Sequence, residues 1–98
     1  MATSKIIMPY KIVVATVSVP TAVNISANGT YTLKTGITWH RGLVVPSFAF
    51  VPYALVPTNF YWSNSDNSYM AEFVNLRTTD VPLTTSDFFT IRYIYPTP

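Results

Sequence analysis

From Lys11 to Val19 the chain alternates strictly, with Val13, Ala15, Val17 and Val19 on one face and Val14, Thr16 and Ser18 on the other. Successive side chains of an extended chain point to opposite faces, so this period of two predicts a half-buried strand, ended by Pro20. The same texture fills most of the remaining chain. Thr21 to Ser26 and Thr30 to Lys34 flank Asn28-Gly29, a pair that tolerates positive φ and predicts a hairpin in which Tyr31 and Leu33 point inward. After Thr35-Gly36, Ile37 to Arg41 is a short extended piece closed by Gly42.

The run from Val45 to Pro57 is punctuated by Val45-Pro46, Val51-Pro52 and Val56-Pro57. Each proline removes a ladder donor, which excludes both a helix and a central strand. Pro46 and Pro52 are an even number of residues apart, so in one extended segment both missing N–H groups face the same side. That predicts an edge strand whose open side is blunted against uncontrolled pairing.

Asn59 to Ser63 leads into Asn64-Ser65-Asp66-Asn67-Ser68, side chains that bond the local backbone and predict a turn. A long strand is expected from about Tyr69 to Arg77, a polar loop from Thr78 to Asp87, and a closing strand from Phe88 to Tyr95. Seven or eight strands with short turns predict an all-β fold, a compact antiparallel β-sandwich or jelly roll. The expected organisation is a single domain over residues 1–98, with an N-terminal arm at 1–8 and a tail at 96–98.

Composition changes what such a domain must do. The 98 residues are 49% hydrophobic and 15% aromatic but only 10% charged, and five of the eight prolines sit in Val-Pro pairs. One small core cannot hide that much apolar side chain, and without cysteine neither disulfides nor thiolate zinc sites can staple it. Oligomer contacts are therefore expected, with Phe48, Phe50, Tyr53 and Leu55 as the candidate interface segment and Tyr93 and Tyr95 beside it. Six Lys and Arg against four Asp and Glu give a net charge of +2 with no basic cluster, so nucleic acid is not an expected partner. The apolar run from Leu43 to Pro57 is too short and too interrupted for a spanning helix, and no membrane insertion is expected. The Met-Ala-Thr-Ser-Lys start lacks the pattern of a secretion signal, so synthesis in the cytoplasm is expected, and Asn24-Ile25-Ser26 and Asn28-Gly29-Thr30 read as turn chemistry rather than glycosylation sites.

Catalytic machinery is sparse. His40 is the single histidine, and its metal-binding partners would have to come from Asp66, Glu72, Asp80 and Asp87, spread over different predicted elements. No metal, cofactor or catalytic residue is expected, and no spacing favours a paired-carboxylate glycosidase. The aromatic groups point elsewhere. Trp39-His40-Arg41 and Tyr61-Trp62, followed by Asn64, Asp66 and Asn67, combine flat apolar faces with directional polar groups, the means by which sugars are bound. The competing reading is that alternate members pack inward and the Asn/Ser/Asp string is a plain turn.

From Val17 onward, the Val-Pro step, the Asn-x-Ser and Asn-Gly-Thr turns, the proline-rich strand and the closing Asn75-Leu76-Arg77 and Phe89-Thr90-Ile91-Arg92-Tyr93-Ile94 segments resemble small bacteriophage structural β-sandwiches. Tail-tip and receptor-binding modules and the related H-type lectin architecture share this texture. The chain departs from the H-type lectin pattern in its last strand, where Tyr93 and Tyr95 stand in place of a tryptophan. The resemblance implies a virion location, a homotrimer packed around a three-fold axis, contacts with other virion proteins and loops that meet the host surface. Two functions then stand side by side. One is a host-recognition module that binds a bacterial surface saccharide through exposed aromatics, and the other is a structural decoration or assembly protein in which those aromatics only pack between subunits.

Overall fold

The computed structural model describes residues 9–97. They form eight strands: β1 (Tyr10–Ser18), β2 (Val23–Ile25), β3 (Thr30–Lys34), β4 (Val44–Phe50), β5 (Val56–Ser63), β6 (Ser68–Val74), β7 (Val81–Leu83) and β8 (Phe88–Pro96). A single 3-10 turn at Pro52–Ala54 joins β4 to β5. All pairings are antiparallel, in sheets of order β1-β8-β4, β2-β7 and β3-β6-β5. The pairs β1/β8, β2/β7 and β3/β6 are nested, as if one long hairpin had been rolled up in the manner of a jelly roll. At its centre β4 joins β8 while β5 joins β6, so the roll opens into two three-stranded sheets packed face to face.

Alternation explains which side chains meet between those sheets. Phe73 of β6 and Phe89 of β8 are fully buried with ring centroids 4.6 Å apart, and Phe48 of β4 meets Phe73 edge-on at 5.4 Å. Leu33, Leu55, Ala71 and Val19 surround them, and Ile25, Val81 and Leu83 bring the β2-β7 pair into the same core. Burying one such phenylalanine stabilises by about 2–3 kcal/mol. A smaller cluster of Ile37, Tyr69 and Ile91 continues toward the other end, flanked by Ala15, Leu43, Val45, Trp62 and Tyr93.

The predicted inward faces of β1 and β3 are found: Val13, Ala15 and Val17 are half-buried, Val19 and Leu33 buried, and Tyr31 half-buried. The turn expected over Asn64 to Ser68 forms at Asn64 to Asn67, with Ser68 already in β6, and the closing strand lies where alternation put it. The Asn28-Gly29 hairpin does not form. Gly29 donates its N–H to the Ser26 carbonyl at 2.8 Å, and of the turn's two central residues only the second, Asn28, takes positive φ (63°), whereas two-residue hairpins need positive φ at both central positions (type I′) or at the first (type II′). The turn sends β2 to β7 and β3 to β6, and Asn75 fixes it. Asn28 donates to the Asn75 carbonyl at 2.7 Å, and the Asn75 amide, itself fully buried, donates to the carbonyls of Ile25, Ser26 and Thr79. Its Oδ1 accepts from the Arg77 N–H, so the long strand expected to reach Arg77 stops at Val74.

The expected loop at Thr78 to Asp87 contains β7, a strand too short for periodicity to reveal. The proline-rich run divides at its centre. β4 is an edge strand, as Pro46 predicts, but Pro52 opens the 3-10 turn instead of continuing the strand. Register shifts between Val44 and Ser47 and between Phe48 and Phe50 re-aim alternate side chains. Phe48 therefore joins the core while Phe50 faces out and meets Phe88 at 5.0 Å. In the expected interface segment Tyr53 is exposed with φ 56°, whereas Leu55 is buried in the chain's own core. The expected tail is partly strand: Pro96 ends β8, and the Thr97 N–H donates to the Pro9 carbonyl at 2.9 Å. The arm expected at 1–8 lies outside the described residues.

Candidate ligand-binding surface

Residues 35–43 cross one end of the sandwich, and their backbone is pinned to the start of β6. Thr35 donates its N–H to the Tyr69 carbonyl at 3.1 Å and its hydroxyl to the same oxygen at 2.6 Å. The Tyr69 N–H donates to the Ile37 carbonyl at 3.0 Å, and Ser68 Oγ accepts the Gly36 N–H at 2.9 Å. Buried Ile37 anchors the segment while Trp39 stands out, 56% exposed. The segment closes in a turn in which Leu43 donates to the His40 carbonyl at 3.2 Å and Gly42 takes φ 72°. A Cβ at Gly42 would lie 3.2 Å from Pro96 Cδ and Cγ, so glycine lets this turn sit against the end of β8.

That close approach brings the His40 ring onto Tyr95. The two rings are nearly parallel, with centroids 3.8 Å apart and 12° between planes, and Tyr93 follows at 6.1 Å from Tyr95. Burial raises the Tyr93 pKa above 10.0, with a smaller contribution from Tyr95. Arg41 is exposed beside this pair. Trp39 and Arg41 are thus both exposed, and His40 between them carries the stack on Tyr95.

The Tyr61-Trp62 group is arranged differently. Trp62 pairs with Tyr69 and points into the sandwich end, where the two rings meet edge-on at 5.2 Å, while Tyr61 pairs with Met70 and points to the outer face of its sheet. Period-two geometry therefore keeps Tyr61 and Trp62 from sharing a site. The Trp62 indole N–H donates to Asn64 Oδ1 at 2.7 Å. Ser63 Oγ donates to Asp66 Oδ2 at 2.7 Å and accepts the Asp66 N–H at 3.3 Å, and Asn67 takes φ 51°. Asn64, Asp66 and Asn67 are thus turn-forming residues first.

Tyr69, which alternation marks only as core, joins the two groups. Its ring stacks on Phe60 at 5.2 Å and meets Trp62, while its hydroxyl donates to the His40 carbonyl at 3.2 Å. The Phe60-Tyr69-Trp62 ring cluster is thereby tied to the His40 backbone, next to the His40-Tyr95 stack. The signal in the sequence was the tyrosine content of the last strand, but the pairing of position 40 with position 95 is a long-range contact with no local pattern.

The three aspartates accept hydrogen bonds, Asp66 and Asp87 within turns and Asp80 from a distant strand. Besides Asp66, Asp80 accepts from the Asn24 amide at 2.8 Å and Asp87 from the Thr84 N–H at 2.8 Å. Among the described residues no three His, Cys, Asp or Glu side chains converge on a metal position, and no helix is long and apolar enough to cross a membrane. The chain matches no family model, no curated protein and no solved structure.

Proposed function

We propose that this chain is a non-enzymatic binding module that recognises a saccharide through Trp39, the His40-Tyr95 stack and Arg41. The observation that carries the reading is the exposure of Trp39 on a segment held rigid from beneath by Tyr69. A ring presented on a fixed backbone stacks on the C–H face of a sugar at little entropic cost, and the neighbouring guanidinium and imidazole supply directional bonds. In the setting implied by the resemblance to phage modules, the saccharide belongs to a bacterial surface and the protein to a virion.

The half-buried position of Trp62 and the engagement of its N–H by Asn64 favour a second reading for that residue, as packing for the sandwich end. If every aromatic served that way, the chain would be a structural decoration or assembly protein. A bacterial glycan array separates the two. Binding by the native protein that is lost in Trp39→Ala and kept in Tyr61→Ala supports recognition at the 39–41 segment. Absence of binding to any surface glycan leaves the structural role.

A further inference from the structure

Six strands form sheet edges: β1 and β4, β2 and β7, β3 and β5. Five of them carry features that discourage pairing with another chain. β4 contains Pro46 and two register shifts, β5 contains Pro57 beside a shift, and β7 contains Pro82 in a strand of three residues. β2 is also three residues long, and β3 is five residues ending in Lys34. β1 differs from all of these. It runs nine residues without proline and pairs with β8 in unbroken register from Tyr10↔Pro96 to Ser18↔Phe88. An edge of that length and regularity is a template for strand addition.

The register also says which backbone groups it offers. One step beyond either end of the ladder, Val19 donates to the Asp87 carbonyl at 3.0 Å and Thr97 donates to the Pro9 carbonyl at 2.9 Å. Hydrogen-bonded pairs of an antiparallel ladder recur at every second residue, so the odd positions of β1 bond to β8. The N–H and C=O groups of Ile12, Val14 and Thr16 therefore point away from β8, toward a side on which the described residues place no strand.

We propose that this edge pairs with β1 of a second copy of the chain, antiparallel about a two-fold axis through Val14, joining the β1-β8-β4 sheets of two subunits into one. The edge is self-complementary. With Val14 opposite Val14, Ile12 falls opposite Thr16, every outward donor meets an outward acceptor, and side chains keep their faces across the seam. Both faces are apolar at the centre of that seam: Ile12 and Val14, 55% and 57% exposed, lie outside, and half-buried Val13, Ala15 and Val17 continue the core inside. Lys11 is the only charged residue of β1. Antiparallel pairing sets the two Lys11 positions about 20 Å apart along the seam at about 3.4 Å per residue, beyond a screening length of about 8 Å at physiological salt. A parallel neighbour would place them side by side. Each β1 has one open side, so pairing in twos satisfies it, which is a different symmetry from the trimer implied by the phage resemblance.

Sedimentation equilibrium on the intact chain tests the assignment. The expected mass is twice the 11.0 kDa of one chain. Val14→Pro removes an outward N–H while leaving the bonds to β8, and is expected to give single-chain mass with the far-ultraviolet strand signature retained. Val14→Lys keeps the backbone donor and places two cations opposite one another at an exposed position, and is expected to weaken dimerisation at least tenfold. A native chain that is monomeric at tens of micromolar, a trimer mass, or a dimer constant unchanged in Val14→Lys overturns the proposal. Because glycan binding is read separately, failure here leaves the saccharide reading standing.

Discussion

The imidazole of His40 lies flat on the phenol ring of Tyr95, with centroids 3.8 Å apart and planes 12° from parallel. This stack ties the 35–43 segment to the last strand, while Tyr69 holds the same segment from the core side through the His40 carbonyl. Removing the ring should loosen the segment without unfolding the sandwich. Tyr95→Ala is expected to cost about 1–2 kcal/mol, in keeping with an aromatic contact plus partial burial, and to weaken saccharide binding, whereas Tyr95→Phe keeps the stack and both properties. Titration calorimetry and urea denaturation read the two effects.

Trp39 and Trp62 should separate cleanly. Trp39→Ala is expected to change stability by less than about 0.5 kcal/mol, as for exposed positions, while abolishing binding. Trp62→Ala removes a ring packed on Tyr69 and is expected to cost about 2–3 kcal/mol, somewhat below the range for fully buried aromatics. Equal losses of stability in the two variants would contradict the placement of these rings.

Asn75 should be the most sensitive polar position. Its amide donates to three carbonyls from two segments and its Oδ1 accepts from Arg77, and no buried side-chain polar atom among the described residues lacks a partner. Asn75→Leu leaves buried carbonyls without donors and is expected to cost about 3 kcal/mol or more, lowering Tm by about 12 °C or more in a domain of this size. A calorimetric Tm within 3 °C of the native value, taken as about the effect of half a kcal/mol, would rule this out.

Two glycines offer a paired comparison. Gly36 and Gly42 both take positive φ, at 75° and 72°, but a Cβ at Gly36 meets nothing within 4 Å while one at Gly42 meets Pro96 at 3.2 Å. Gly36→Ala is expected to cost about 1 kcal/mol for conformation alone. Gly42→Ala should cost more, because the contact with Pro96 is added to the same strain, and the order of the two melting temperatures checks it.

Tyr31 and Tyr93 should make the fold sensitive to alkali. Burial raises both pKa values above 10.0, so the unfolded chain loses these protons before the folded one. Stability from this source is complete below pH 10 and declines as pH rises above it. Thermal unfolding followed between pH 8 and pH 11 should show that decline, and Tyr31→Phe combined with Tyr93→Phe should flatten it.

Alternation along the chain determined much of the all-β architecture by itself. Val13 to Ser18, Tyr31 with Leu33, and Phe88 to Tyr95 lie on strands because period-two patterning is a property of the segment and survives wherever the strand is placed. The Asn64 to Asn67 turn was legible for the same reason, since its bonds are made within a few residues.

Tertiary structure decided what each strand pairs with and which aromatics are left outside. Asn28-Gly29 has the chemistry of a hairpin, but Asn75 captures its backbone from the far side of the chain and turns it into a step between sheets. In the proline-rich run, the register shifts of β4 send Phe48 inward and Phe50 outward, and Leu55 is drawn into the core beyond the 3-10 turn. The His40-Tyr95 stack and the open side of β1 depend likewise on strands distant in sequence. Local patterning encodes which face of a segment is apolar, and only the folded arrangement of all the segments fixes which apolar faces are covered.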